Sequence, residues 1–510
     1  MSIDNYIRTH KSTVILLFFV LIKIVLNHFL IADGFELHRD EYLHLDQARH
    51  LAWGFVSIPP VTSWISSIIL LLGNHVFWVK FFPALFGALT IVLVWKIIEN
   101  LNGGLFACIL GATAILFSAY LRINILYQPN SFDILAWTFV FYCLIKYIKS
   151  KEDKWIYLFA VGFGIGFLNK YNIVFLLIGL LPAILLTEYR SLFKKKSLYV
   201  ALGIALLIIA PNLIWQYQND FPVFIHMSAL SSSQLVHVDR MEIIKEQFLF
   251  FLPSIVVLLF SFISFAAYKP FRKYKIIIFT YLITLSLFVY FRGKPYYTLG
   301  LFPVILSFGA VYFEYLTQGR VTKYFRPILV FVIVALGAGY ILLTCPVYSA
   351  EEMESNPKVK NMYKAIGQLR WEDGKERGIP QDYSDMLGWK ELSAIVDSAW
   401  GKLTEKEKIT TIVFCDNYGQ AGSINYYAKE YPAAVSLNAD YKNWIPDKNI
   451  ETIILVKGKE RKVPDKLKSL FLSIDTIGSI QNDLSREYGT TVYLLKQPSQ
   501  PLNTRSFFSH

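Results

Sequence analysis

The succession of long apolar runs decides what this chain can become. A first run extends from about Ser12 to Ala32, and further apolar segments lie near 76–98, 104–121, 131–148, 156–169, 172–187, 197–214, 247–268, 275–291, 298–317 and 327–345. A run of ~17–25 apolar residues crosses a hydrocarbon core as a helix, and inside that core a helix satisfies its own backbone. The pattern predicts a mainly α polytopic membrane protein with about 11–13 transmembrane helices. The stretch 60–73 is apolar but short, and is expected to be interfacial or re-entrant. Only 17% of the 510 residues are charged, against roughly 25% in a soluble domain.

A net charge of +12 raises the question of nucleic acid, but the cations gather in short loops between apolar runs, which is the signature of membrane topology. Nucleic-acid binding is therefore not expected. Arg8 and Lys11 precede the first run. Lys146, Lys149, Lys151 and Lys154 form one later cluster, and Arg190, Lys194, Lys195 and Lys196 another. Lys269, Arg272, Lys273 and Lys275 follow, then Arg320, Lys323 and Arg326. With the spans above, all five clusters fall on one side, so the N-terminus is expected to be cytoplasmic. The intervening loops then face outward, together with everything after Cys345. No small-x-small cleavage site follows the first run, which reads as an uncleaved anchor. The four cysteines show neither zinc nor disulfide spacing.

The membrane part is expected over 1–346 and an extracytoplasmic soluble α/β domain over 347–510. Thr411–Asp416, Ala433–Leu437, Glu451–Val456 and Thr490–Leu495 read as strands, with helices over Leu387–Leu403 and Gly419–Lys429. Asp416 to Gly422 lies at a strand-to-helix junction, where backbone N–H groups can take an anion or simply close a turn.

Two adjacent carboxylates, Asp40 and Glu41, open the first polar loop. On the same predicted face lie Asp133, Lys170, Arg292, Lys294, Tyr296 and Tyr297. Cations on the side that positive charge avoids call for a reason. An anionic lipid headgroup is one, because Lys and Arg stabilise charge on a departing phosphate while a carboxylate can deprotonate an acceptor hydroxyl.

Several sequence pieces, in order, resemble the GT-C membrane glycosyltransferases, in particular bacterial relatives of protein O-mannosyltransferases and of the lipid A aminoarabinose transferase. They are Asp40-Glu41, His50-Leu-Ala-Trp-Gly54 with Pro59-Pro60, Gln128-Pro-Asn-Ser-Phe-Asp133, Gly166-Phe-Leu-Asn-Lys170-Tyr171, Asn212-Leu-Ile-Trp-Gln216 with Phe221-Pro222, and Gly293-Lys294-Pro-Tyr296-Tyr297 leading to Pro303. Tyr383 to Trp389 and Asn417 to Gly422 are similar to the outer domain of one bacterial subgroup. The resemblance implies a polyprenyl-phosphate sugar as donor, inversion at the anomeric carbon, and a lipid, glycan or protein as acceptor. It implies Asp40 as general base with Glu41 beside it, and Asp133 orienting the acceptor or the base. Lys170, Arg292 and Lys294 would hold the donor phosphate with Tyr296 and Tyr297 alongside. Ile58 stands where many relatives have His, and Asn130-Ser-Phe-Asp133 where many have a Thr-Pro-Asp run.

Other readings stay open at this point. Asp40 can be an N-cap, and Arg292 and Lys294 can snorkel to headgroups. Tyr296 and Tyr297 can belong to an aromatic belt, and Trp137 to packing. No cofactor is expected, although His38 and His44 flank the acid pair and allow a divalent-metal site. A transporter or flippase of a lipid-linked glycan is the alternative function. It calls for ionisable residues at mid-membrane, of which the spans carry few. A receptor for an outer ligand would leave the rim charges unexplained.

Overall fold

The computed structural model describes residues 10–428, 431–459, 461, 463–504 and 507. Arg8 of the N-terminal charge cluster and Lys429 at the end of an expected helix lie outside the described residues. Two compact units form. The first takes in the chain to Ile31, Ile58–Thr62 and Phe77–Val347; the second takes in Ala32–Ser57, Ser63–Val76 and the chain from Tyr348 onward. The passage at Val347 lies beside the expected boundary. The segments 32–57 and 63–76, by contrast, were expected in the membrane part and group with the second unit.

Among the described residues, seven helices are long and apolar enough to cross a membrane: Lys11–Phe29, Val76–Asn100, Pro129–Ser150, Lys196–Gln218, Lys269–Tyr290, Pro295–Leu316 and Thr322–Thr344. Two further pairs, Ile173–Leu185 with Glu188–Lys194 and Arg240–Leu249 with Leu252–Ala267, bend by 106° and 65° and bring the number to at most nine. The expected 11–13 also counted shorter apolar helices such as Leu105–Leu116 and Lys154–Asn169. Hydropathy registers apolar length and not where a helix stops: Lys170 turns to an extended conformation, with φ −157° and ψ 129°, and ends the second of these.

Small residues let these helices approach closely, as expected where lipid removes the hydrophobic drive between helices. A Cβ at Gly309 would strike the Val257 carbonyl oxygen and the Ser261 hydroxyl on the neighbouring helix. The carbonyl is backbone and cannot swing aside. Gly309→Ala is expected to destabilise the first unit by about 1–3 kcal/mol through overpacking, read as a lower melting temperature in detergent. Gly339→Ala is the control, since nothing lies within 4 Å of its added Cβ.

The first helix also carries a group that the hydropathy pattern concealed. Lys23 is buried within the span, and its Nζ donates to the Tyr120 carbonyl at 3.1 Å; Asn27 Nδ2 donates to the Leu121 carbonyl at 2.9 Å. Lys23 thus adds an ionisable residue to spans expected to hold few.

In the second unit a five-stranded sheet has the order β2-β1-β4-β6-β5, with β1 Thr411–Cys415, β2 Val435–Ser436, β4 Thr452–Lys457, β5 Phe471–Ser479 and β6 Thr491–Pro498. β1 runs parallel to β2 and β4, while β6 is antiparallel to β4 and β5. A two-stranded sheet pairs β3 Asn449–Ile450 with β7 Leu502–Asn503. The near-continuous apolar runs of β1 and β4 place Ile412, Ile453 and Leu455 in one core with Leu495, as strands covered on both faces require. The helix Arg39–Gln47 packs on Tyr418–Tyr427. Gly422 permits this, since a Cβ there would lie 2.8 Å from both the Tyr42 Cβ and the Tyr441 hydroxyl. Asp46 accepts from Tyr441 Oη and Asn425 Nδ2, both at 2.7 Å, and Asp440 accepts from the Val56 N–H at 2.7 Å and Gln47 Nε2 at 2.9 Å.

Candidate active site

The Arg39–Gln47 helix starts with a capping box. The N-cap is His38 and not Asp40: its Nδ1 accepts from the Asp40 N–H at 3.2 Å, and Glu41 Oε2 accepts from the His38 N–H at 2.7 Å. Glu41 is fully buried in this role. Two acids in the first turn also complement the positive helix end.

Asp40, at the second helical position, is about a third exposed, at 32% of its side chain. Its Oδ1 accepts a hydrogen bond from Tyr418 Oη at 2.6 Å, and its Oδ2 lies 3.8 Å from His38 Nδ1. His38 Nε2 is 3.6 Å from Asp385 Oδ2, which Arg486 approaches at 3.2 Å. The Arg39 guanidinium lies over the Tyr418 ring, 4.4 Å from its centroid. Burial alone would raise the Asp40 carboxyl, but the charges of His38 and Arg39 and the Tyr418 bond outweigh it and hold the group down at about 2. Burial would lower His38, yet Asp40 and Asp385 hold it up at about 9. Asp40 is therefore an anion throughout the neutral range; His38 Nδ1 accepts the Asp40 N–H only in its neutral form, and protonation replaces that cap by attraction to the Asp40 and Asp385 carboxylates.

A folded value raised above the ordinary 6.5 stabilises fully below 6.5 and loses that contribution as the pH climbs through about 9. His38→Gln is accordingly expected to melt below wild type at pH 6 and to converge with it above about pH 9, measured as melting temperature against pH.

His44 Nδ1 is 3.2 Å from Gln47 Oε1. No group of three or more His, Cys, Asp or Glu is placed to hold a metal ion among the described residues. The junction at Asp416 is closed by the chain's own side chains: Asn417 Oδ1 caps the Gln420 N–H at 3.0 Å, and Asn438 Oδ1 takes the Tyr418 N–H at 3.3 Å. The Asp416 carboxylate beside it pairs with Lys457 at 2.5 Å. Of the two readings of that junction, the turn is the one present.

The first unit gathers the other group of residues. Lys170, at the end of Lys154–Asn169, donates to Asn130 Oδ1 at 2.7 Å. Its ammonium lies 4.5 Å from the Tyr297 ring centroid and 5.3 Å from that of Tyr296. Asn130 Nδ2 in turn donates to Gln128 Oε1 at 2.9 Å. Asp133 is buried; Oδ1 accepts from Trp137 Nε1 at 2.9 Å, and Oδ2 from Asn172 Nδ2 at 3.0 Å. Asn172 also donates to the Tyr297 carbonyl at 2.9 Å. Asp133 thereby ties the segments that carry Lys170 and Tyr297, and compensates the Lys170 charge. Burial lowers Lys170 to about 8, Asp133 opposes this, and the nearby positive charge of Lys294 lowers it further. Lys294 precedes the 3-10 turn Pro295–Leu301. Arg292 is exposed and holds a left-handed φ of 54°.

The structure thus brings together Asp133, Lys170, Lys294, Tyr296 and Tyr297 in the first unit, and Asp40 with Glu41 in the second. Sequence reasoning missed Asn130, Asn172, Tyr418 and Asp385. Asn130, Tyr418 and Asp385 sit in motifs already singled out, and Asn172 lies one residue beyond another. Trp137, expected to pack, also donates to Asp133.

The fold matches that of ArnT from Cupriavidus metallidurans bound to undecaprenyl phosphate, with a TM-score of 0.61, 14% identity, and coverage of 94% of this chain and 97% of that one. The apo form of the same protein matches with a TM-score of 0.60 and 14% identity, covering 95% and 98%. At 14% identity this likeness is one of fold, to a protein that binds undecaprenyl phosphate in its crystal. Residues 57–215 match the family model described as dolichyl-phosphate-mannose-protein mannosyltransferase. The chain is also 23% identical over 215 residues to the lipid A galacturonosyltransferase RgtD of Rhizobium johnstonii (strain DSM 114642 / LMG 32736 / 3841). That similarity covers 41% of this chain and spans 44%, less than half, of the relative's length.

Proposed function

We propose that this chain transfers a sugar from a polyprenyl-phosphate-linked donor to an acceptor lipid, glycan or protein, with inversion, at the outer face of the cytoplasmic membrane. The observation that carries the reading is the half-buried Lys170, flanked by two tyrosine rings and close to the like charge of Lys294. That arrangement suits a phosphate monoester or diester. Lys170, Lys294 and Arg292 hold the donor phosphate and stabilise it as it departs. Tyr296 and Tyr297 flank Lys170, and Asp133 anchors it. Asp40, ionised at neutral pH, accepts the proton of the attacking hydroxyl, with Glu41 holding its helix start. The carbon–oxygen bond to the donor phosphate breaks as the acceptor oxygen bonds the opposite face of the anomeric carbon, and the polyprenyl phosphate leaves with the electron pair. No cofactor enters this scheme. The similarity to RgtD and to ArnT bound to undecaprenyl phosphate supports the donor class.

The test is incubation of the purified full-length chain in nanodiscs with undecaprenyl-phosphate-linked galacturonic acid, mannose and aminoarabinose, with lipid A as acceptor. Consumption of one donor and release of undecaprenyl phosphate support the reading. Translocation of an intact donor without consumption would favour a flippase, and neither result would overturn the reading. The orientation is tested by impermeant thiol labelling of single cysteines at the exposed positions Arg49 and Lys442 in a background lacking native cysteines. Both are expected to label from outside, and labelling from opposite sides would overturn the topology.

A further inference from the structure

We propose that Tyr418 is a positioning residue for the reaction: its phenol fixes the orientation of the Asp40 carboxylate, so that the C-terminal segment completes the catalytic group. This rests on the function proposed above and deepens it.

Tyr418 is rigidly held. It is the first residue of the Tyr418–Tyr427 helix, whose N-cap Asn417 accepts from the Gln420 N–H and donates to Glu487 Oε1 at 3.0 Å. Its own N–H is taken by Asn438, and its ring is covered by Arg39. Gly419 keeps the approach open, since a Cβ there would lie 3.0 Å from Trp389 and 3.2 Å from the Arg39 Cβ. The phenol therefore has one well-defined target, Asp40 Oδ1 at 2.6 Å. A carboxylate pinned at one oxygen cannot rotate about Cβ–Cγ, and its second oxygen has a fixed direction. Proton abstraction depends on that direction.

The ionisable groups facing Asp40 come from both segments. His38, Arg39 and His44 come from its own segment and Tyr418 from the C-terminal one, while Asp382, Asp385 and Glu487 of the C-terminal segment act on His38 and Arg39 beside it. Tyr418 keeps its proton, because burial pushes it well above the ordinary phenol value, and it therefore remains a donor at working pH. Removing a donor from a carboxylate weakens the anion and raises its pKa.

The experiment compares wild type, Tyr418→Phe and Asp40→Asn, each full-length in nanodiscs, with the donor consumed in the panel above. Tyr418→Phe removes one oxygen and keeps the ring under Arg39, so folding is preserved, as checked by melting temperature. The expected result is a kcat lower by roughly 10- to 100-fold with an unchanged donor KM and an unchanged melting temperature. A kcat that falls only together with the melting temperature or with donor affinity would overturn the proposal, since a merely structural loss does that. Wild-type behaviour of Tyr418→Phe beside an inactive Asp40→Asn would overturn the positioning role and leave the function standing. Full activity of Asp40→Asn would overturn both.

Discussion

Asp40→Asn is expected to lower turnover by roughly 10²-fold or more while leaving donor affinity near that of wild type. The substitution is selective. Asparagine has nearly the same shape, and its Oδ1 still accepts from the Tyr418 phenol that lies at 2.6 Å in the wild type. The His38 cap remains, because that bond uses the backbone N–H of residue 40. Only the negative charge and the basic site are lost. A residue whose work is to start a helix would tolerate such a change; here His38 and Glu41 already do that work. Steady-state rates with saturating donor provide the measurement, and wild-type turnover would remove Asp40 from the chemistry.

The second large effect concerns the cations. Each charge-assisted phosphate contact is worth roughly 1.5–3 kcal/mol, so Lys294→Ala is expected to weaken donor use by roughly 10- to 150-fold. Arg292→Ala tests the exposed member of the group in the same titration. Lys170 needs a different design. It compensates Asp133, which is buried, and truncating Lys170 alone would leave a carboxylate unpaired at a cost of about 3–5 kcal/mol. The pair Lys170→Met with Asp133→Asn removes both charges and keeps the bonds that Trp137 and Asn172 direct at residue 133 to the extent that an amide can accept them. That variant is expected to fold and to lose donor binding. Lys323→Ala, on an exposed turn between helices, is expected to match wild type. If Lys294→Ala and Arg292→Ala also matched it, those two residues would be headgroup anchors only.

What could be read from the chain followed from how local each signal is. The strands β1, β4 and β6 announce themselves as apolar β-branched runs. β5 does not: Phe471–Ser479 mixes Ser473, Asp475 and Thr476 into its length, and much of it is exposed at the end of the sheet order. Fewer helices reach full spanning length than there are apolar runs, because the backbone ends two of the helices at Phe117 and Lys170. Lys23 escaped notice because one cation does not interrupt a hydropathy window. The acids and cations of the candidate site were legible as charges out of place, but their neutral partners were not. Asn130 and Asn172 gain meaning only from the side chains they meet, and Tyr418 lies 378 residues from Asp40 in sequence. No periodicity encodes contacts at that range.

The same separation bears on how the protein is made. Asp40 leaves the ribosome early, whereas the phenol that steadies it, and Asp385 that holds His38, are among the later residues synthesised. At roughly 5–20 residues per second, Asp40 waits roughly 20–80 s for Tyr418. Until then the apolar helices can enter the membrane and pack, yet the reactive carboxylate has no fixed setting. A ribosome that stalls after Val347 would leave a chain whose Asp40 and His38 never meet Tyr418 and Asp385.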